Sequence, residues 1–331
     1  ILISPGIYPS LTLIDADIHL ASLYLTTQDT SYIRSTIIDG NSIASPIWIK
    51  GNNDNVRISN VKITGLTLIN GEEGNNGSIG SGIFVSNVDS VKIDHMLIKN
   101  NTSVTEGGGI HNVNVNYAYF ESITVKGNNA TKGGGLFSQN SNLDLVNSLI
   151  VENALTGQDD GGGIYLSENG AVKIINCTVA NNTIFDGRNG PGMSMNYWNT
   201  SDSILVFNSI FAKNKRFSGD EYGQMHIPYN SFARANTFIG PQYGPGDAGS
   251  LSASRDQDII ISSADPFANL TIGNYSISEA SSSIGSGKVF IQFDNQTITA
   301  PSQDFYGSPR PFPTGSNPDM GAIENIRSKK L

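Results

Sequence analysis

Glycine clusters return along this chain at a nearly fixed interval: Gly80-Ser81-Gly82, Gly107-Gly108-Gly109, Gly133-Gly134-Gly135, Gly161-Gly162-Gly163 and Gly190-Pro191-Gly192. Counted from the last glycine of each, the steps are 27, 26, 28 and 29 residues. A period in this range marks a repeat architecture, because one unit cannot bury its own apolar face and must stack on its neighbours.

Each cluster leads into an apolar residue and then a second position: Ile83-Phe84, Ile110-His111, Leu136-Phe137, Ile164-Tyr165 and Met193-Ser194. Strand alternation sends the two to opposite faces. Two further short runs follow in each repeat, as in Val91-Lys92-Ile93 with Met96-Leu97-Ile98, and Val172-Lys173-Ile174 with Cys177-Thr178-Val179. No window carries a sustained 3.6-residue apolar period, so the runs predict strands. Asn100-Asn101, Asn128-Asn129, Asn153, Asn181-Asn182 and Asn214 close the repeats, and Asn147, Asn176 and Asn208 stand at the bend before the last run. Asparagine tolerates left-handed backbone, and identical amides stacked on successive coils can ladder, so these are assigned to structure. The fold expected is all-β: a single-stranded right-handed parallel β-helix, a solenoid with three strands per coil of about 27 residues. Its hand follows from the rule for parallel crossovers.

A solenoid grows by adding coils, so the 331 residues predict one continuous domain, 1–331. Its regular coils run over about 33–240, with less regular C-terminal coils and a tail over 241–331. The net charge of -9 argues against nucleic acid and anionic membrane surfaces as partners. No apolar run approaches the roughly 18 residues that cross a bilayer, so no transmembrane segment is expected. Cys177, the one cysteine, sits in an alternating strand and reads as a buried thiol. Ile1-Leu2-Ile3-Ser4-Pro5-Gly6-Ile7-Tyr8 already reads as strand and turn, as after removal of a secretion signal or in a shortened chain.

Ser4-Pro5-Gly6-Ile7-Tyr8, Ile37-Ile38-Asp39-Gly40 and Ile63-Thr64-Gly65-Leu66-Thr67-Leu68 resemble the first coils of bacterial right-handed β-helix proteins of the pectate-lyase-like superfamily. The glycine clusters resemble the GGA-type repeats of polymorphic outer-membrane adhesins. At the other end, Ser281-Ser282-Ser283-Ile284-Gly285-Ser286-Gly287, Asp304-Phe305-Tyr306-Gly307-Ser308-Pro309-Arg310 and Asp319-Met320-Gly321-Ala322-Ile323-Glu324 are similar to the ending of exported choice-of-anchor Q domain proteins. The resemblance implies a secreted or cell-surface β-helix, commonly without an assigned reaction. The same resemblance implies an amphipathic cap before the first coil, which does not stand ahead of Ile1-Leu2-Ile3; an uncapped edge is expected to be either covered or paired with another chain.

Phe84, His111, Phe137 and Tyr165 share one outward position on four successive coils and predict an aromatic column. Stacked rings on an exposed sheet suit a sugar, another subunit, or a covering loop such as the tail after Gly240. In the turns before the clusters lie Glu72-Glu73, Glu106, Asp159-Asp160 and Asp186, with Lys132 and Arg188 among them. Glu106, Asp159 and Asp160 are candidate ligands for calcium if at least three of their oxygens converge; solvated turns are the plainer reading. Gln158-Asp159-Asp160 resembles the paired aspartates of polygalacturonase-type hydrolases only superficially, since the companion Gly-His-Gly and Arg-x-Lys are lacking. A lyase would need a base, for which Lys132 and Arg188 are the candidates on that edge. His19, His95, His111 and His226 show no zinc spacing. The long turn from Lys215 to His226 is a candidate lid.

Two classes of function follow. The first is a non-catalytic extracellular protein, structural, adhesive or self-assembling, whose partners are copies of itself. The second is a carbohydrate-active protein, either a glycan-binding module or a calcium-dependent polysaccharide lyase rather than a hydrolase.

Overall fold

The computed structural model describes residues 1–14, 17–51, 57–72, 81–186, 188–196, 204–219, 223–227, 232–235, 237–240 and 258–325. Gly80, Glu73 and the stretch 220–222 of the candidate lid lie outside the described residues. The chain winds as a right-handed parallel β-helix of about seven turns. Among the described residues, a 15-stranded and a 10-stranded parallel sheet run the length of the solenoid, joined by a 4-stranded one. The apolar residue after each cluster forms one interior file: Ile47, Ile83, Ile110, Leu136, Ile164, Met193 and Met225 pair in register, coil by coil. All are fully buried.

The first two runs of each coil share the 15-stranded sheet. In two coils they fuse into single strands, Ile83–Asp94 and Ile110–Glu121. The third run makes the 10-stranded sheet, which contains Leu97–Lys99, Thr124–Lys126 and Leu149–Val151. A further two-residue strand in each of four coils, such as Asn129–Ala130 and Ala154–Leu155, builds the 4-stranded sheet. Alternation alone could not reveal it, because two residues carry no period.

The glycines and asparagines form one device. Asn101, Asn128, Asn153, Asn182 and Asn214 are buried in a ladder, each Nδ2 donating to the next Oδ1 at 2.8–3.0 Å. Each backbone N–H also donates to the same neighbouring amide oxygen. Gln224 ends the ladder by accepting from both Asn214 N–H groups. The last glycine of each cluster passes against this ladder. A Cβ on Gly135 would stand 2.8 Å from Asn153 Nδ2 and 2.6 Å from the Gly163 carbonyl oxygen, closer than atoms tolerate.

Segments outside the coils cover the 10-stranded sheet from both ends. Near the N-terminus, α1 (Tyr24–Thr27) and α2 (Ser31–Ser35) fold over its first strands, and Thr67 Oγ1 donates to the Ile33 carbonyl at 2.7 Å. At the other end the tail lays Phe267, Tyr275, Ile277, Met320, Ala322 and Ile323 on Leu149, Val151, Ala180, Ile210, Ala212 and Phe238. Its hairpin, Phe290–Phe293 with Gln296–Thr299, seals Val146, Ile175, Leu205 and Phe207 around the corner.

The bend asparagines receive this tail. Asn147, Asn176 and Asn208 are left-handed, with φ of 46°, 49° and 49°. Asn147 donates to the Gln303 carbonyl at 2.8 Å, Asn176 to the Asp319 carbonyl at 3.3 Å, and Asn208 to the Lys288 carbonyl at 2.8 Å. The tail is in turn tied by a fully buried ion pair, Arg310 Nε to Glu324 Oε2 at 3.1 Å, with Arg310 Nη1 donating to Asn147 Oδ1 at 2.5 Å.

Candidate functional site

The aromatic column exists, but it is not an open platform. Phe84, His111, Phe137 and Tyr165 pair in register. Their ring centroids are 5.2, 5.0 and 5.8 Å apart, and Trp48 extends the column at 5.1 Å. Yet the four are only 6, 4, 2 and 6 % exposed. Beside the last three, the turn that enters the cluster lies close: Gly133 stands against the Phe137 backbone and Gly161 against the Tyr165 ring, and His111 Nδ1 bonds to the Glu106 carbonyl at 3.0 Å. The described part of the tail, residues 258–325, expected as a possible lid here, packs instead on the 10-stranded sheet and around the corner at Val146 to Phe207. Burial alone opposes a charge on His111 and pushes its pKa down to about 4, against the backbone carbonyl of Glu106, which acts the other way.

The candidate calcium ligands are claimed by an ammonium group. Lys132 Nζ stands 3.8 Å from Glu106 and 3.4 Å from Asp159, and 5.1 Å over the Tyr165 ring. Asp160 accepts from the Asn189 N–H at 2.9 Å. Among the described residues no three His, Cys, Asp or Glu side chains gather as a metal site. The same contacts hold Lys132 away from the role of a free base. Arg188 gives its carbonyl to the Arg216 guanidinium, and Asp186 caps the Ser218 N–H. Cys177 is fully buried, its thiol pushed up to about 12 by that burial.

A different place gathers open polar and aromatic groups. The two covers of the 10-stranded sheet do not meet. Between them the outward residues Leu97, Lys99, Thr124 and Lys126 remain half-exposed, whereas Leu149 and Val151 beyond are buried. This gap is a cleft of about 910 Å³. Its floor is Leu97, Thr124 and Lys126; one wall is α1 and α2, with Tyr24, Gln28 and the exposed Arg34. The opposite wall is the tail, with Tyr275 and the segment 299–307. The floor continues around the bend, through His95 and Ser122, to Tyr119, Glu121 and Asp144 on the 15-stranded sheet.

The repeat sets these positions. His95 and Ser122 occupy the left-handed bend that Asn147, Asn176 and Asn208 hold farther on, with φ of 53° each. Where those asparagines bind the tail, His95 and Ser122 face the cleft. His95 Nδ1 lies 3.4 Å from Asp94 Oδ1, and its ring packs 4.7 Å from that of Tyr24. Burial works against a charge on Asp94, but contacts with His95, Lys92 and Thr64 prevail and hold its carboxyl below the usual range. Lys92 also reaches Glu121 at 3.5 Å. Across the floor, Lys126 pairs with Glu152 at 3.1 Å, and Tyr275 donates its hydroxyl to the same carboxylate at 2.9 Å. Burial raises the pKa of Tyr24, Tyr119 and Tyr275, helped by carboxylates close to each, so all three keep their O–H donors. On the lip Tyr306 is 68 % exposed.

The set offers hydroxyl donors, carboxylate acceptors, ammonium donors and aromatic faces in a concave site. A polyhydroxylated ligand is matched by such a lining. Of these residues only His95 was weighed in the sequence as a possible ligand, and set aside for its lack of zinc spacing; Lys92 and Leu97 entered as parts of strand runs, and Tyr306 as part of the C-terminal resemblance. The available signal was the bend column, where His and Ser replace the Asn of later coils.

No protein-family model matches the chain, and no curated protein matches it in sequence. Among solved structures the chain is similar to that described as the crystal structure of pectate lyase Pel9A, with a TM-score of 0.53 and 13% identity. The match covers 98% of this chain and 87% of that one. At this identity the likeness is one of fold. No helix among the described residues is long and apolar enough to cross a membrane.

Proposed function

We propose that this chain is a secreted or cell-surface β-helix protein that binds a glycan in the cleft between its N-terminal helices and its C-terminal tail. One observation carries the reading: a sheet face covered from both ends is left open over two strands, and the opening combines tyrosines, carboxylates and an ammonium group with apolar side chains such as Met96, Leu97 and Phe305, the mixture that polar and apolar faces of a sugar require. Likeness in fold to a protein whose title names a pectate lyase supports a carbohydrate-related role. On this reading residues 1–331 act as one unit, since the first coils and the tail share one site. The role is binding, and the aromatic column from Phe84 to Tyr165 is a structural spine.

A glycan array probed with the intact protein tests it, alongside Tyr306→Ala and Lys126→Gln. Tyr306 is exposed and its ring packs only edge-on against Phe305, so its removal disturbs little of the fold. Retention on one glycan class, lost in both variants while the melting temperature holds, is the outcome expected. An array without retention would sink the reading, as would retention that neither variant weakens.

A further inference from the structure

The shape of the cleft limits how a chain can lie in it. On the 10-stranded sheet the open part of the floor is two strands wide along the solenoid axis, about 10 Å at the inter-strand spacing, and on the 15-stranded side it reaches one coil farther, to Asp144. It is stopped on one side where α2 accepts the Thr67 hydroxyl and on the other where the tail packs on Leu149 and Val151. Along the strands it is longer: from Tyr119 through the bend at Ser122 to Lys126 the floor is one continuous stretch of backbone, about 20 Å at the rise of an extended chain. Each end carries an ion pair, Glu121 with Lys92 on the 15-stranded side and Lys126 with Glu152 on the 10-stranded side, so a bound chain meets both an acceptor and a donor at either end.

Resting on the glycan reading above, we infer that the ligand is a short oligosaccharide segment lying across the coils, along the strands and around the bend. It does not follow the axis. The trough then holds about three or four monosaccharide units, and sugars beyond them leave the contact surface. Specificity resides in a short segment, and affinity saturates early with chain length.

Titration calorimetry on the intact protein separates the possibilities, with oligogalacturonates and cello-oligosaccharides of about two to about eight units as the acidic and neutral probes. In the series that binds, affinity climbs to about four units and then changes by less than about twofold. Glu121→Gln and Lys126→Gln, at opposite ends of the trough, each weaken binding by about tenfold or more. Lys173→Gln weakens it far less, because Lys173 lies farther along the axis on the row Tyr119, Asp144, Lys173, outside the cleft, and reaches the floor only through Asp144 at 3.7 Å. Affinity that keeps rising to the longest probe, or a loss with Lys173→Gln equal to that with Lys126→Gln, would overturn the crosswise placement and leave glycan binding standing. Absence of heat with every probe, together with an array that retains nothing, would overturn both.

Discussion

Gly135 and Asn153 show how single residues hold one coil to the next. Both were legible as repeat markers, but their contact was not, because seventeen residues of chain lie between them until a coil closes and brings the glycine onto the ladder. Gly135→Ala drives a Cβ into backbone and amide at once and is expected to lower stability by about 2–4 kcal/mol. Gly307→Ala, at φ of 82° with nothing within 4 Å, meets only the left-handed backbone penalty of about 1 kcal/mol. Urea denaturation of the two variants checks the ranking, and equal midpoints would count against the ladder. His111 makes a prediction in pH. Its folded pKa of about 4 lies below the unfolded value of 6.5, so the unfolded chain binds the proton more readily between those values. Stability is therefore full above about pH 6.5 and falls as pH drops toward 4, by up to roughly 3 kcal/mol. His111→Phe, placed among rings, is expected to flatten that slope, and denaturation midpoints at neutral and acid pH measure it. Alternation showed which way these rings point. That they are buried depends on the turns beside them, whose course no periodicity encodes.

At the scale of elements the tail is the case where buried charge decides. Its fixed points are the residues that carry the C-terminal resemblance: Asp304 accepts from the Tyr306, Ser308 and Glu324 N–H groups, Asp319 from Gly285 and Asn325, and Glu324 from Phe312 and Asp319. Arg310 is the cation at their centre, donating also to the Gly321 and Ala322 carbonyls at 3.0 Å each. Arg310→Met leaves the Glu324 carboxylate buried without its partner, a change that typically costs about 3–5 kcal/mol. Replacing both, as Arg310→Met with Glu324→Met, removes the unpaired charge and is expected to cost less than the sum of the single changes. Limited proteolysis provides a local readout, since the single variant should release the tail to cleavage while the coils resist. Strict additivity would show that the pair is not coupled. The strands on either side of this knot were readable from their runs, whereas the knot was visible only as a resemblance: Arg310 and Glu324 obey no period and meet through turns.

For the molecule as a whole, the solenoid is a scaffold whose repeats fix where a sheet face lies, and the non-repeating segments decide which part of it stays open. The coil stack was legible because every repeat states it again. The cleft was not, because its parts come from Tyr24 to Arg34, from the bend at His95 and Ser122, and from Tyr275 and Tyr306, each present once. Deleting residues 264–331 separates the two contributions. The stack keeps its ladder and its interior file, both of which lie before residue 240. It loses the cover over Leu149, Val151, Ala180, Ile210 and Phe238. Several large apolar side chains, each worth about 1.5–3 kcal/mol when fully buried, then face water. The shortened chain is expected to retain its β circular dichroism, to bind a hydrophobic dye, and to self-associate through the bared face. It is also expected to lose glycan retention, because one wall of the cleft is gone while Lys126 and Glu121 remain. Retention undiminished after this deletion would place the ligand on the coils alone and remove the tail from the site.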